Sequence, residues 1–288
     1  MASEIELKLA LGDAAPDSLP RHPRLASLTP RVGRLGNTYY DTPEGDLEAA
    51  RSALRLRRDG ERLLQTVKTR GHGGGGLSSR GEWEWPVTGP GLDLDGLGEI
   101  PPMAALGQDV IARLEPRFST DFTRRTWRVT SETADIEVAL DSGEIRAGDA
   151  RVTIRELELE LKDGEPSALH ELASRLAEGV ALRPSDTSKA ARGGALLLGR
   201  WQLPEGGSPA AWFHRANVAL DALADTGDPA WRHQAREAFQ QLARLSEDTA
   251  ENARWLAGAL EGPDWFDAAF GDHALALSRR LPGDAQLG

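Results

Sequence analysis

Glu4, Glu6 and Lys8 alternate with Ile5, Leu7 and Leu9, and Glu156, Glu158 and Glu160 alternate with Leu157, Leu159 and Leu161. Successive side chains of a strand point to opposite faces, so each segment gathers its charges on one face at a spacing of about 7 Å from i to i+2. Three further segments share the layout: Arg55 and Arg57 among Ala53, Leu54 and Leu56; Thr66, Lys68 and Arg70 beside Val67; Arg80, Glu82 and Glu84 beside Trp83 and Trp85. Aligned glutamates repel one another unless basic groups from neighbouring strands or a bound cation sit among them. Carboxylate oxygens with no thiolate or clustered imidazole favour a hard ion, Mg²⁺ or Mn²⁺. Arginine and lysine facing the same ion suit phosphoryl oxygens. One such strand is ordinarily a half-exposed strand with surface ion pairs. Five in one chain point to a shared charged lumen that takes a polyphosphate.

The elements that must position these groups are short and strand-like. Period-two runs are expected at Ser3–Leu9, Arg34–Tyr40, Ala53–Asp59, Arg62–Thr69, Gly81–Val87, Phe118–Thr130, Ala134–Ile145 and Arg151–Lys162, enough to close a barrel and remove its edges. Helical spacing is expected at Ser18–Leu28, Ala104–Leu114 and Pro166–Glu178, bracing the outside of the sheet. The run Gly73-Gly74-Gly75-Gly76 is not followed by Gly-Lys-Ser/Thr and is read as a mobile loop, not a phosphate loop. Beyond Arg200, Ala, Leu, Trp and Arg recur at helical spacing, broken at Gly227-Asp228-Pro229 and Gly262-Pro263, which predicts three or four helices. The expected class is therefore α+β: a β-rich domain over residues 1–200, with eight strands, enough to close a barrel, and a small all-α region over 201–288.

Composition narrows the partners. A chain of 288 residues with a formal charge of −11 lacks the basic balance that a nucleic-acid backbone requires, so any anion must meet a local cluster. The absence of cysteine removes disulfides, thiolate ligands and a cysteine nucleophile. No apolar stretch long enough for a membrane span and no leader pattern follows Met1, so a cytoplasmic location is expected. His22, His72, His170, His214, His233 and His273 lack ligand spacing and are assigned no site.

The ordered motifs resemble the CYTH family, the triphosphate tunnel metalloenzymes. They run Glu4-x-Glu6-x-Lys8, Tyr39-Tyr40-Asp41-Thr42, Leu54-Arg55-Leu56-Arg57, Thr66-Val67-Lys68, Arg80-x-Glu82-x-Glu84, Phe118-x-x-x-Phe122-x-Arg124-x-x-Trp127, Ala139-Leu140-Asp141-x-Gly143-Glu144, Glu156-x-Glu158-x-Glu160 and Ser188-Lys189-Ala190-Ala191-Arg192-Gly193. Of the chain's four lysines, Lys8, Lys68 and Lys189 fall in these motifs and Lys162 does not. The likeness is greatest to bacterial inorganic triphosphatases in which a helical CHAD domain follows the tunnel. Residues 201–288 are too short for a whole CHAD domain, and their seven arginines against thirteen acids, a net of −6, have the wrong sign for polyphosphate binding. The segment is read as a truncated or degenerate CHAD-like appendage that serves structure or meets a protein partner.

The resemblance implies an eight-stranded antiparallel β-barrel, the triphosphate tunnel, and metal-dependent cleavage of inorganic triphosphate to pyrophosphate and phosphate by in-line attack of water. It places Glu4, Glu6, Glu156, Glu158 and Asp141 around the metal, and Lys8, Arg55, Arg57, Lys68, Arg80, Arg124 and Lys189 on phosphoryl oxygens. Glu6, Lys68 and Glu158 stand nearest the chemistry. Glu82, Glu84 and Glu160 are further ligands or partners of the basic residues, Tyr40 or Tyr39 tunes Lys68, and Lys189 with Arg192 covers one end from a helix. Rival readings are an adenylate cyclase, a thiamine or nucleoside triphosphatase, a non-catalytic polyphosphate sensor, and a metal-free module of ion-pair ladders.

Overall fold

The computed structural model describes residues 2–69 and 71–281; Arg70, the outermost charge of its strand pattern, lies outside them. Ten strands form one antiparallel sheet: β1 (Ala2–Leu11), β2 (Arg31–Asp41), β3 (Ala53–Asp59), β4 (Arg62–Lys68), β5 (His72–Gly74), β6 (Leu77–Pro86), β7 (Glu115–Thr130), β8 (Ala134–Ala147), β9 (Ala150–Gly164) and β10 (Leu182–Pro184). Their order is β10-β1-β9-β8-β7-β2-β3-β4-β6-β5, and β1 also pairs with β6. That extra pairing, with Glu4 opposite Arg80 and Glu6 opposite Ser78, closes eight strands into a barrel and leaves β5 and β10 as short additions. All eight expected strands are present.

The barrel is inverted relative to one filled by aliphatic side chains. Leu7, Leu9, Trp127, Val138, Leu140, Leu157 and Leu159 point outward and are buried, under Leu19 and Leu25 of the β1–β2 excursion, Leu169, Leu172 and Leu176 of α6 (Ser167–Ala177), and Leu275 of α11 (Ala268–Arg280). On the opposite wall, Leu54, Val67, Trp83 and Trp85 are covered by Leu47, Leu97, Met103 and Ile111. Each buried side chain of this size contributes roughly 1.5–3 kcal/mol relative to exposure. The core thus wraps the barrel and frees its lumen for charge.

Two expected helices take other forms. Ser18–Leu28 is not one helix: α1 spans Ala15–Ser18 and a 3₁₀ turn spans Leu19–Arg21, because Pro20 and Pro23 cannot supply the N–H groups that a continuing helix needs. Ala104–Leu114 is divided between α4 (Pro101–Leu106) and α5 (Gln108–Ile111) by Gly107 at φ +91°, with α3 (Leu94–Glu99) ahead of them and α2 (Asp46–Ala49) after β2.

The glycine run is also held, not loose. His72–Gly74 pairs with β6, Gly76 N–H donates to Asp186 Oδ1 at 2.6 Å, and Gly75 C=O accepts from Ser278 Oγ. Glycine is required there: a Cβ on Gly76 would lie 2.7 Å from the Lys8 carbonyl and one on Gly75 2.8 Å from Phe213. After α7 (Lys189–Leu198), helices α8 (Pro209–Thr226), α9 (Pro229–Leu245), α10 (Glu247–Ala259) and α11 enclose a second core around Phe213, Phe239, Leu242, Leu256 and Phe270. Among the described residues no helix is long and apolar enough to cross a membrane.

Candidate active site: a charged barrel lumen

Inward-facing side chains line a cavity of about 1250 Å³ that contains Glu4, Glu6, Lys8, Arg55, Arg57, Lys68, Arg80, Glu82, Glu84, Arg124, Glu158, Glu160 and Lys189 on its wall. Register explains their meeting. Lys8 stands opposite Glu158, Lys68 opposite Glu82, Thr66 opposite Glu84 and Arg124 opposite Asp141. In three of these four pairs opposite charges face one another on adjacent strands, as the repulsion argument requires.

Near β1 and β6 the pairing is dense. Lys68 Nζ donates to both Glu4 oxygens at 3.0 and 2.8 Å and lies 3.3 Å from Glu82, while Arg80 Nε donates to Glu4 at 2.9 Å and its Nη2 to Glu6. Burial opposes ionisation of Glu4, but Lys68 and Arg80 together outweigh it and hold its pKa at about 2. For Lys68, burial with neighbouring Arg80 and Arg55 lowers the pKa despite Glu4 and Glu82.

On β3 the balance changes sign. Arg55 lies 3.9 Å from both Glu82 and Glu84. Arg57 forms no ion pair among the described residues; its Nε donates to Asn37 Oδ1 at 2.9 Å, and Asn37 donates in turn to Thr120. Burial, then Arg55 and Arg124, pull the Arg57 pKa down to about 10. A guanidinium so placed is a vacant half of an ion pair, directed at a lumen wide enough for an anion.

The third group lies under α7. Carboxylate oxygens of Asp141, Glu156 and Glu158 lie within 4.8 Å of one another. Lys189 spans them, 2.7 Å from Asp141, 3.0 Å from Glu158 and in contact with Glu156. Arg124 clasps Asp141 through two 2.7 Å bonds and also reaches Glu158. Burial raises the Glu156 pKa; that of Glu158 is held low by Lys189, Arg124 and Lys8 against its own burial.

The sequence matches the CYTH domain over residues 2–193. The chain belongs to the CYTH family. A Haemophilus influenzae protein named inorganic triphosphatase is 37% identical over 209 residues, covering 70% of this chain and 56% of that protein, so the chain spans just over half the length of this relative. Among solved structures, a Hippeastrum protein described as an adenylyl cyclase candidate with a dominant triphosphatase activity superposes with a TM-score of 0.53 at 20% identity, covering 69% of this chain and 97% of the other. At that identity the likeness is one of fold.

Set against the CYTH expectations, the lumen gathers all seven basic residues, from Lys8 to Lys189, but divides the acids. Glu4, Glu6, Glu158 and Glu160 reach the cavity, whereas Asp141 and Glu156 lie behind Lys189. Hard oxygen donors without competing nitrogen or sulfur ligands fit a divalent cation. Of the two adjacent tyrosines, Tyr39 faces inward on the Asn37 and Arg57 side and stacks on Phe118 at 4.7 Å. Tyr40 packs outward in the Leu54 and Val67 cluster, so of the pair left open by the sequence it is Tyr39 that faces the lumen.

Two lumen residues escaped the sequence reading. Glu137 stands opposite Glu160, itself opposite Glu6, making a row of three carboxylates across β8, β9 and β1. Burial raises the Glu160 pKa there, against the pull of Lys162. Its signal was the single charge in Ile136-Glu137-Val138. Asn37, which orients Arg57 by accepting its hydrogen bond, sits in a strand otherwise read for its tyrosines. Three of the unassigned histidines have structural partners: His170 with Ser278, His214 with Asp186 and His273 with Asn252.

Proposed function

We propose that this CYTH protein hydrolyses inorganic triphosphate to pyrophosphate and phosphate with Mg²⁺ or Mn²⁺, in the cytoplasm, within the lumen built by residues 1–200. The observation that carries the reading is Arg57, a largely buried guanidinium without a carboxylate ion-pair partner among the described residues, set beside Arg55 and Arg124 and across from a glutamate-lined wall. The family membership and the triphosphatase name of the Haemophilus relative support it.

Glu4, Glu6 and Glu158 would hold the cation, with Glu160 and Glu137 alongside and Asp141 and Glu156 available if Lys189 withdraws. Bound there, the cation would neutralise phosphoryl charge and acidify a bound water. Arg55, Arg57 and Arg124, with Lys8, Lys68, Arg80 and Lys189, would grip the phosphoryl oxygens, since positioning and charge neutralisation supply most of phosphoryl-transfer catalysis. A lumen carboxylate such as Glu158 or Glu6 would accept the proton of the attacking water. Glu82 and Glu84 hold Arg55 and Lys68 in place.

A bare polyphosphate fits better than a nucleotide. Tyr39 and Phe118, aromatic residues of the wall, use their faces on each other, which leaves less stacking surface for a base. The test is phosphate release from triphosphate beside ATP, with Mg²⁺ or Mn²⁺, for the wild type, Glu6→Gln and Arg57→Ala. Turnover of triphosphate lost in both variants is expected. Tight binding without turnover in the wild type would replace the hydrolase with a sensor.

A further inference from the structure

Helix α8 presents one polar stripe to the barrel in an otherwise Ala- and Leu-rich sequence: His214, Asn217, Asp221 and Asp225, spaced three and four apart and so on one face. Every member grips the segment that leads into and through α7. His214 and Asn217 hold Asp186 at 2.9 and 3.1 Å. Asp221 accepts from Ser185 Oγ at 2.9 Å and Thr187 N–H at 3.2 Å and pairs with Arg183 at 2.8 Å. Asp225 takes Arg192 in a two-pronged clasp of 3.0 and 2.6 Å.

Arg192 carries this grip to the lumen. Its Nη2 also donates to Thr153 C=O at 2.6 Å, and its Nη1 lies 3.6 Å from Glu156, the carboxylate that Lys189 touches from one turn earlier on α7. The guanidinium therefore ties α8 to β9 and to the acidic group in one side chain. Burial disfavours its charge, yet Asp225 and Glu156 keep it ionised. Buried ion pairs are seldom the cheapest way to hold two elements together. One that ends on the residue spanning Asp141, Glu156 and Glu158 has a second use.

We propose that Asp225 is a positioning residue for the tunnel: through Arg192 it fixes the height of α7 and so the place of Lys189 among Asp141, Glu156 and Glu158. The helical region then belongs to the active site's frame, and residues 1–200 alone do not set the geometry of their own lumen. The claim rests on the hydrolase reading for its kinetic readout but not for its structural content.

The experiment uses the full chain with Asp225→Asn, Asp225→Glu, Lys189→Met and the Asp225→Asn/Lys189→Met double variant, each assayed well below its own Tm. Misplacement of a site group by about 1 Å can cost on the order of 10²-fold. Asp225→Asn is therefore expected to lower kcat for triphosphate by about 10–100-fold with KM changed less than about threefold. Asp225→Glu should restore most of it. Adding Asp225→Asn to Lys189→Met should change little, because contacting groups that act through one another are non-additive.

Equal losses in both backgrounds, or a loss confined to KM, would overturn the proposal. Should Asp225→Asn fail to fold, Arg192→Lys, which keeps the charge and shortens the reach to Thr153 and Glu156, is read by the same criteria. A wild type without turnover would sink the hydrolase reading alone. Calorimetric binding of triphosphate with Mg²⁺ then decides: Asp225→Asn must weaken it in the wild-type background and leave it unchanged beside Lys189→Met.

Discussion

Replacing Arg57 by methionine should make the empty protein more stable and the loaded protein less so. Burial beside Arg55 and Arg124 takes the Arg57 pKa from its ordinary 12.5 to about 10, so ionisation favours the unfolded chain at every pH below about 10, and this penalty fades only as the pH climbs from there toward 12.5. At 1.36 kcal/mol per pH unit, the penalty at neutral pH is roughly 3 kcal/mol. Losing the Arg57–Asn37 hydrogen bond gives back about 1 kcal/mol. A net gain of roughly 2 kcal/mol should raise Tm by about 4–8 °C in a chain of this size. Scanning calorimetry at pH 7.5, in buffer free of phosphate and sulfate, reads this directly. With Mg²⁺ and triphosphate at about 100 times Kd, the wild type should gain about 2.7 kcal/mol while Arg57→Met gains almost nothing, and the order of melting reverses. A variant that melts below the wild type without any anion would refute the reasoning, for it would make Arg57 a structural ion-pair partner instead of an unmet charge.

Glu4, held at about 2 against an ordinary 4.5, contributes roughly 3 kcal/mol that is fully present above pH 4.5 and is lost as the pH falls toward 2; Glu4→Gln should flatten that part of a urea-midpoint profile between pH 5 and 2. Alanine at Gly193 would drive a Cβ into the Phe118 ring, which is itself stacked on Tyr39 and cannot retreat freely. Expected consequences are about 1–3 kcal/mol of destabilisation in chemical denaturation and at least about tenfold lower kcat/KM. Mn²⁺ should raise the wild-type Tm, EDTA should reverse the rise, and Glu6→Gln should show less than half of it; an equal rise in the variant would remove Glu6 from the cation's ligands.

The strands were legible because both of their faces are constrained: Leu7 and Leu9 must be covered from outside and Glu6 and Lys8 must pair within, so alternation persists where a half-exposed strand would lapse. Arg55, Arg57, Lys68 and Arg80 could be placed from spacing alone for the same reason. What spacing could not show was who answers each charge. Lys189 comes from a helix that docks by tertiary contact, and only that docking puts an ammonium where a metal was expected at Asp141 and Glu156. Tyr39 and Tyr40 carry the same side chain at adjacent positions, so the face was undecidable until the register with Arg55 and Leu54 was known. The stripe from His214 to Asp225 did carry a signal, polar residues at helical spacing in a helix otherwise rich in Ala and Leu, but a polar stripe ordinarily faces solvent, and nothing in the chain marked this one as buried.

Ring closure has a consequence for the order in which the molecule comes into being. β1 precedes the other strands of the barrel in the chain, yet one edge of it pairs with residues 77–82 and the other with 156–160. Contacts of such long sequence separation form late, after the loop entropy between them has been overcome. A nascent chain that has not reached Glu156 holds Glu4, Glu6 and Lys8 on an open sheet, without the Glu158 wall that completes their surroundings. Residues 1–155 therefore leave the ribosome before the lumen has its Glu158 wall, and a fusion that tethers β1 elsewhere would leave a folded exterior around a ring that never shut.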